Sequence, residues 1–322
     1  MELKNIFKLY ISLLVILLIG IFVFLNKNSP VEKDNIISPL PNFLTAFAND
    51  QISTLNLWHP IFEKFGGSRK LEAPNITAKS ALVYNLTKQK VLFSKNPTQK
   101  LPMASLTKIM TAIIALETQR EDDRYEVYAE NLVGENSMGL TEGETLSLEE
   151  ILYGLILLSG NDAAEVLASN YIHGRDKFVE AMNNKAKSLG LKNTNFTNPT
   201  GLEGDGDQYT TTQDLLVITS YALKFPLFKE VVRTFIHEIP LTLDHKAFYL
   251  QNETNLISSY PGVFGVKDGY TPEAGLCLVT YLHYKGHDII AIILGSDNRR
   301  QEMKDLLDYG LESLSITPPP HG

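Results

Sequence analysis

Ser105 and Lys108 stand three residues apart in Ala104-Ser105-Leu106-Thr107-Lys108-Ile109-Met110-Thr111-Ala112. A serine becomes a nucleophile when a neighbouring base takes its proton. Leu106, Ile109, Met110, Ile113, Ile114 and Leu116 recur near a 3.6-residue period, which predicts a buried helix with Ser105 at its start. Residues three apart on a helix have Cβ atoms roughly 5–6 Å apart, so the lysine amine can reach the serine hydroxyl. The amine works as a base only when burial or a second cation lowers its pKa, and Lys267 is the candidate second cation. Taken alone the pattern is weak. An exposed helix-start serine with a solvated lysine also accounts for it, and a chain of this length holds about one Ser-x-x-Lys by chance.

Two other stretches bear on the same chemistry. Leu157-Leu158-Ser159-Gly160-Asn161-Asp162 ends one apolar helix and begins another, where an isolated Ser-Gly-Asn reads first as a helix cap and stop. Gly265-Val266-Lys267-Asp268-Gly269-Tyr270-Thr271 lies on or entering a strand, and by itself reads as a charged strand end.

These stretches need a scaffold. Residues 80–85 and 91–94 are β-rich runs around a polar turn, a hairpin. From the helix of Ser105 to about residue 235 the pattern is helical, with apolar stripes over 148–158, 163–172, 178–189 and 215–223. Strand signals return over 276–284 and 288–294 around Lys285-Gly286-His287, and a last helix runs over 299–314. Strands at both ends with helices between them predict an α+β fold. Its mainly antiparallel sheet pairs the first strands with the last, helices cover it, and an all-helical region lies between.

At 322 residues with 44% hydrophobic side chains, the chain can bury one catalytic-size core plus an appendage. A net charge of −8 argues against nucleic acid as a partner. Cys277, the single cysteine, sits in an apolar run as a core residue and leaves no intrachain disulfide to form. Of the 7 histidines only His283 and His287 have a metal-like spacing, and Gly286 in the turn between them keeps them off a shared helix face, so no metal site is expected.

Residues 9–25 form an uncharged apolar run at the lower end of the length needed to cross a bilayer. A cleaved signal peptide would have a small-x-small site close behind, whereas the first Ala-x-Ala is Ala46 and Ala48, so the run reads as a single-pass signal anchor. Lys4 and Lys8 precede it, which leaves residues 1–8 in the cytoplasm and the rest outside. Residues 26–74 read as an extracytoplasmic stem broken by Pro30, Pro39, Pro41 and Pro60; its apolar segment around Trp58 packs on the domain or lies at the membrane surface. The catalytic domain is assigned to 75–315 and a tail to 316–322.

Ser105/Lys108, Ser159-Gly160-Asn161 and Lys267-Asp268-Gly269 fall in the order of the Ser-x-x-Lys, Ser-x-Asn and Lys-Thr-Gly set of penicillin-binding proteins and class A β-lactamases. The chain resembles the D-alanyl-D-alanine carboxypeptidase family of low-molecular-mass penicillin-binding proteins. The likeness extends to Ser137-Met138-Gly139-Leu140, Gly143-Glu144-Thr145-Leu146, Leu189-Gly190-Leu191, Asn198-Pro199-Thr200-Gly201-Leu202, Ser259-Tyr260-Pro261-Gly262 and Tyr270-Thr271-Pro272-Glu273-Ala274-Gly275, and covers about residues 74–314. A class A β-lactamase would need a further glutamate for the deacylating water. Glu180 with Asn184 is the nearest mimic, in a stretch that reads as a polar surface face.

The resemblance implies a β-lactamase/transpeptidase-like fold, no cofactor, peptidoglycan stem peptides as substrates and β-lactams as acylating inhibitors. It implies that Ser105 attacks the carbonyl of the penultimate D-alanine, with Lys108 as base. Ser159 relays a proton, Asn161 holds the substrate amide and orients Lys108, and Lys267 attracts the terminal carboxylate. The backbone N–H groups of Ser105 and Tyr270 form the oxyanion hole, and Gly269 lies beside them.

Two departures leave alternatives open. An N-terminal span stands in for the family's C-terminal membrane helix, and without the extra β-domain the chain also resembles DD-endopeptidases, which cut cross-links. Asp268 stands where the family has a hydroxyl, which admits a weakened or silent wall-binding homologue. Strand alternation points Asp268 away from Lys267. If it instead reaches the substrate carboxylate, repulsion raises its pKa, and activity improves as the pH falls from 8 to 5.

Overall fold

The computed structural model describes residues 71–321. The apolar run 9–25 and nearly all of the stem lie outside the described residues. No described helix is long and apolar enough to cross a membrane.

The described chain opens with strands β1 (Ser80–Asn85) and β2 (Lys90–Lys95) and then reaches helix α1 (Lys108–Glu117). Two short strands, β3 (Tyr125–Glu126) and β4 (Thr145–Leu146), pair before helices α2 (Leu148–Leu157), α3 (Asn161–Ser169), α4 (Arg175–Ser188), α5 (Thr212–Ala222) and α6 (Pro226–Arg233). A hairpin of β5 (Ile236–Ile239) and β6 (Phe248–Gln251) follows, then β7 (Val263–Thr271), β8 (Gly275–Tyr284), β9 (His287–Ser296) and helix α7 (Arg299–Ser313).

The main sheet has the order β2-β1-β9-β8-β7, all antiparallel, so the first strand pairs with the last as expected. Every residue of β1 is buried, which requires cover on both faces. Alternation assigns the cover. Ala81, Val83, Ile289, Ala291 and Ile293 pack with Met303, Leu306, Leu307 and Leu311 of α7, while α5 lies against β1 and β9 from the face of Ser80, whose hydroxyl meets that of Thr212 at 3.0 Å. The four α7 side chains are wholly buried and together contribute on the order of 6–12 kcal/mol of transfer free energy.

Helix ends are written in the sequence. Ser147 and Glu150 form a capping box at the start of α2, Thr211 caps α5 by accepting from Asp214 N, and Pro226 opens α6, where its missing N–H is not needed. The β5–β6 hairpin was not anticipated from the pattern, because Ile236 and Tyr249 are exposed and the alternation is faint. Residues 316–321 lie along the domain, with Ile316 against the core and His321 stacked on Tyr260 at 4.6 Å.

Candidate active site

Ser105 departs from the expected helix start. It lies in a 3₁₀ turn, Ala104–Thr107, and the α-helix begins only at Lys108. A tighter turn still places residues three apart on one side, so the pairing survives the correction. Thr107 Oγ1 donates to Ala104 O at 2.9 Å and closes the turn, leaving Ser105 half-buried.

Lys108 is fully buried. Its Nζ lies 3.1 Å from Ser105 Oγ, 2.7 Å from Asn161 Oδ1 and 2.6 Å from the backbone oxygen of Thr200. The last two are acceptors only. A neutral amine gives its two N–H bonds to them and turns its lone pair to the serine hydroxyl, the arrangement of a general base. The electrostatics agree: burial and then the charge of Lys267 push the Lys108 pKa well below the ordinary lysine value, against the opposing pull of Asp268, Asp162 and Glu165.

Each partner of Lys108 is held by its own segment. Asn161 opens α3, and Asp162 beside it is buried and accepts from Ser137 Oγ at 2.5 Å, Met138 N at 3.0 Å, and Gly139 N and Leu140 N at 3.1 Å. This carboxylate ties the loop of residues 137–140 to the head of α3. Asn198 Oδ1 accepts from Thr200 N, Thr200 Oγ1 and Gly201 N, shaping the turn that presents the Thr200 carbonyl. Gly201 has φ +90°, and a Cβ there would sit 2.0 Å from Ala104 O, so only glycine lets this turn press against the serine turn.

Ser159 joins α2 to α3 with φ +58°, and its buried Oγ takes no protein hydrogen bond. Among the described residues, strand β7 is the edge of the sheet, beside the serine turn. A Cβ on Gly269 would lie 2.9 Å from Ser105 N, so the strand passes flush against the nucleophile, with Tyr270 next in line and its side chain exposed. A cleft of about 250 Å³ opens beside Ala104 and Thr271 toward residues 201–209.

Asp268 departs from the alternation expected of the strand. Its carboxylate does not point away from Lys267, because the flexible lysine stem folds back and donates to Asp268 Oδ1 at 2.9 Å. Nor is its pKa raised. Burial acts upward, but the charges of Lys267 and Arg299 prevail and hold it at about 2. Arg299 NH2 donates to Asp268 Oδ2 at 2.6 Å and NH1 to Gly269 O at 2.8 Å.

The structure thus brings Ser105 and Asn161 each into contact with Lys108, places Lys267 within electrostatic reach of Lys108, and sets Asp268, Gly269 and Tyr270 on the adjoining strand edge. Sequence reasoning missed Arg299, Asp162 and the Thr200 carbonyl. Asp162 and Thr200 adjoin quoted motifs, whereas Arg299 carried no local signal. Glu180 is exposed and paired with Lys177, as a surface face requires. His283 and His287 bond to Asp288 and Asn85, and no metal-holding cluster occurs among the described residues.

A family model described as D-alanyl-D-alanine carboxypeptidase matches residues 68–298. The chain belongs to this family. It is accordingly a serine-type D-alanyl-D-alanine carboxypeptidase of the low-molecular-mass penicillin-binding class. It is 34% identical over 267 residues to the D-alanyl-D-alanine carboxypeptidase DacF of Bacillus subtilis, covering 80% of this chain and 68% of the relative. It is 33% identical to a D-alanyl-D-alanine endopeptidase of Pseudomonas aeruginosa, covering 75% and 79%. The crystal structure of the Streptomyces K15 DD-transpeptidase superposes with a TM-score of 0.71 at 29% identity, covering 75% of this chain and all of that one.

Proposed function

We propose that the carboxypeptidase reaction of this chain runs through an ester on Ser105 and that the residues around it divide the work as follows. The carrying observation is the buried Lys108 amine 3.1 Å from Ser105 Oγ, with its other two contacts made to carbonyl oxygens. Lys108 takes the serine proton as Oγ attacks the carbonyl of the penultimate D-alanine of a peptidoglycan stem peptide. The edge of β7 accepts the substrate as an added strand, whose upstream residues run toward the cleft beside Thr271. The N–H groups of Ser105 and Tyr270 receive the oxyanion, and Gly269 permits the approach that aligns them. Ser159 Oγ, free of protein partners, passes the proton to the departing amine, and Asn161 orients Lys108. Water then hydrolyses the ester and returns Ser105.

Benzylpenicillin should add one covalent mass to the protein, on the peptide that contains Ser105, while the pentapeptide loses one D-alanine. A Ser105→Ala protein that still acquires the adduct would refute the assignment. The relative named as an endopeptidase supports a second reading, cleavage of cross-links by the same residues. Cross-linked dimer peptide offered alongside pentapeptide distinguishes the two.

The enzyme is placed at the bacterial cytoplasmic membrane, anchored by residues 9–25 with residues 1–8 inside, a stem over 26–74, the catalytic domain over 75–315 and a tail over 316–322. The uncharged run behind Lys4 and Lys8 supports this layout. Protease added to spheroplasts should remove the domain, and protection of the whole chain while outward-facing controls are digested would count against it.

A further inference from the structure

Asp268 gives both of its oxygens to the two cations at the downstream end of the site. Lys267 Nζ donates to Oδ1 at 2.9 Å and to the Asp268 backbone oxygen at 3.0 Å, and Arg299 NH2 donates to Oδ2 at 2.6 Å. Lys267 is fully buried, and the side chains of Arg299 and Asp268 are only 19% and 13% exposed, so the three groups meet largely out of water. Asp268 adjoins Gly269, where an added Cβ would lie 2.9 Å from Ser105 N, so it sits on the strand edge beside the nucleophile. Glu253 stands in the same field: burial and the charge of Asp268 raise its pKa, while Lys267 and Arg299 pull the other way. Both cations therefore pair with a carboxylate supplied by the protein itself.

A hydroxyl at position 268 would leave both cations in search of an anion, and the free carboxylate of a terminal D-alanine would supply it. A carboxylate at that position satisfies them from within. An incoming carboxylate must then displace Asp268 from two charge-assisted hydrogen bonds or lie beside a like charge, whereas a leaving group that ends in an amide meets neither obstacle.

We propose that Asp268 is an internal stand-in for the substrate's terminal carboxylate, a specificity-determining residue. It turns the site toward acyl-D-alanyl bonds whose leaving amine carries no free carboxylate. The substrates favoured are stem peptides amidated at their last residue and cross-bridges in which D-alanine is joined to a side-chain amine remote from any carboxylate. Cleavage of peptides ending in free D-alanine continues at lower efficiency. The proposal rests on the assignment of Ser105 and Lys267 given above.

The test compares kcat/KM for diacetyl-L-lysyl-D-alanyl-D-alanine as the free acid and as its C-terminal amide, with the full chain in detergent, by quantifying the shared product diacetyl-L-lysyl-D-alanine. The native enzyme should use the amide at least threefold better than the acid. In Asp268→Asn and Asp268→Thr the acid-to-amide ratio should rise at least tenfold. A native preference for the acid of tenfold or more overturns the proposal without any variant, and so does a ratio unchanged within threefold in both variants. Failure of both peptides to react, together with no penicillin adduct on Ser105, overturns the underlying assignment and the proposal with it.

Discussion

Ser159 keeps a buried hydroxyl without a protein partner between α2 and α3, and an unsatisfied group of this kind destabilises a protein by about 1–3 kcal/mol. Removing it relieves that penalty and deletes the proton relay. Ser159→Ala should therefore melt higher than the native protein while its acylation by penicillin slows by about 100-fold or more, a divergence that calorimetry and stopped-flow labelling together detect. Lys108 makes the opposite case, since Lys108→Met strips the donors from Asn161 Oδ1 and Thr200 O and removes the base at once. Acylation should fall by roughly 10²–10⁴-fold. In the native enzyme the rate should rise with pH through the lowered Lys108 pKa, and the variant should lose that acid limb. Stability carries the same sign. The native state holds this lysine less readily protonated than the unfolded chain does, so folding gains free energy as the pH climbs toward the ordinary lysine value, and Lys108→Met abolishes the gain.

At the scale of elements, the site is a joint between the 3₁₀ turn of Ser105, the head of α3, the turn at residues 198–201 and the edge of β7. Gly201→Ala should drive a methyl into Ala104 O and shift the serine turn. A displacement near 1 Å is enough to lower acylation about 100-fold, and circular dichroism should show the secondary structure retained. How much of this joint was legible depends on how local each signal is. The three motifs and both terminal hairpins were readable because their residues lie within a few places of one another or form short apolar runs around a polar turn. The 3₁₀ turn was not, since an i to i+3 spacing looks the same at the first turn of an α-helix. Asp268 was misplaced because alternation fixes where a side chain leaves the backbone and not where a flexible lysine stem brings its amine. Arg299 reaches Asp268 from 31 residues downstream, a pairing that only the closing of β8 and β9 creates.

For the molecule as a whole, the base of the reaction is a property of the folded state. Its amine belongs to α1 and its acceptors to α3 and the Thr200 turn, segments separated by 53 and 92 residues. In the unfolded chain Lys108 is an ordinary lysine, neutral in fewer than about one molecule in a thousand at pH 7. A fluorescent penicillin thus becomes a census of native molecules: brief labelling across a urea series should trace the same midpoint as the loss of helical signal. Labelling that disappears at distinctly lower urea would reveal that the joint opens before the sheet does. The reagent that inactivates the enzyme then doubles as a gauge of how firmly its catalytic joint is closed.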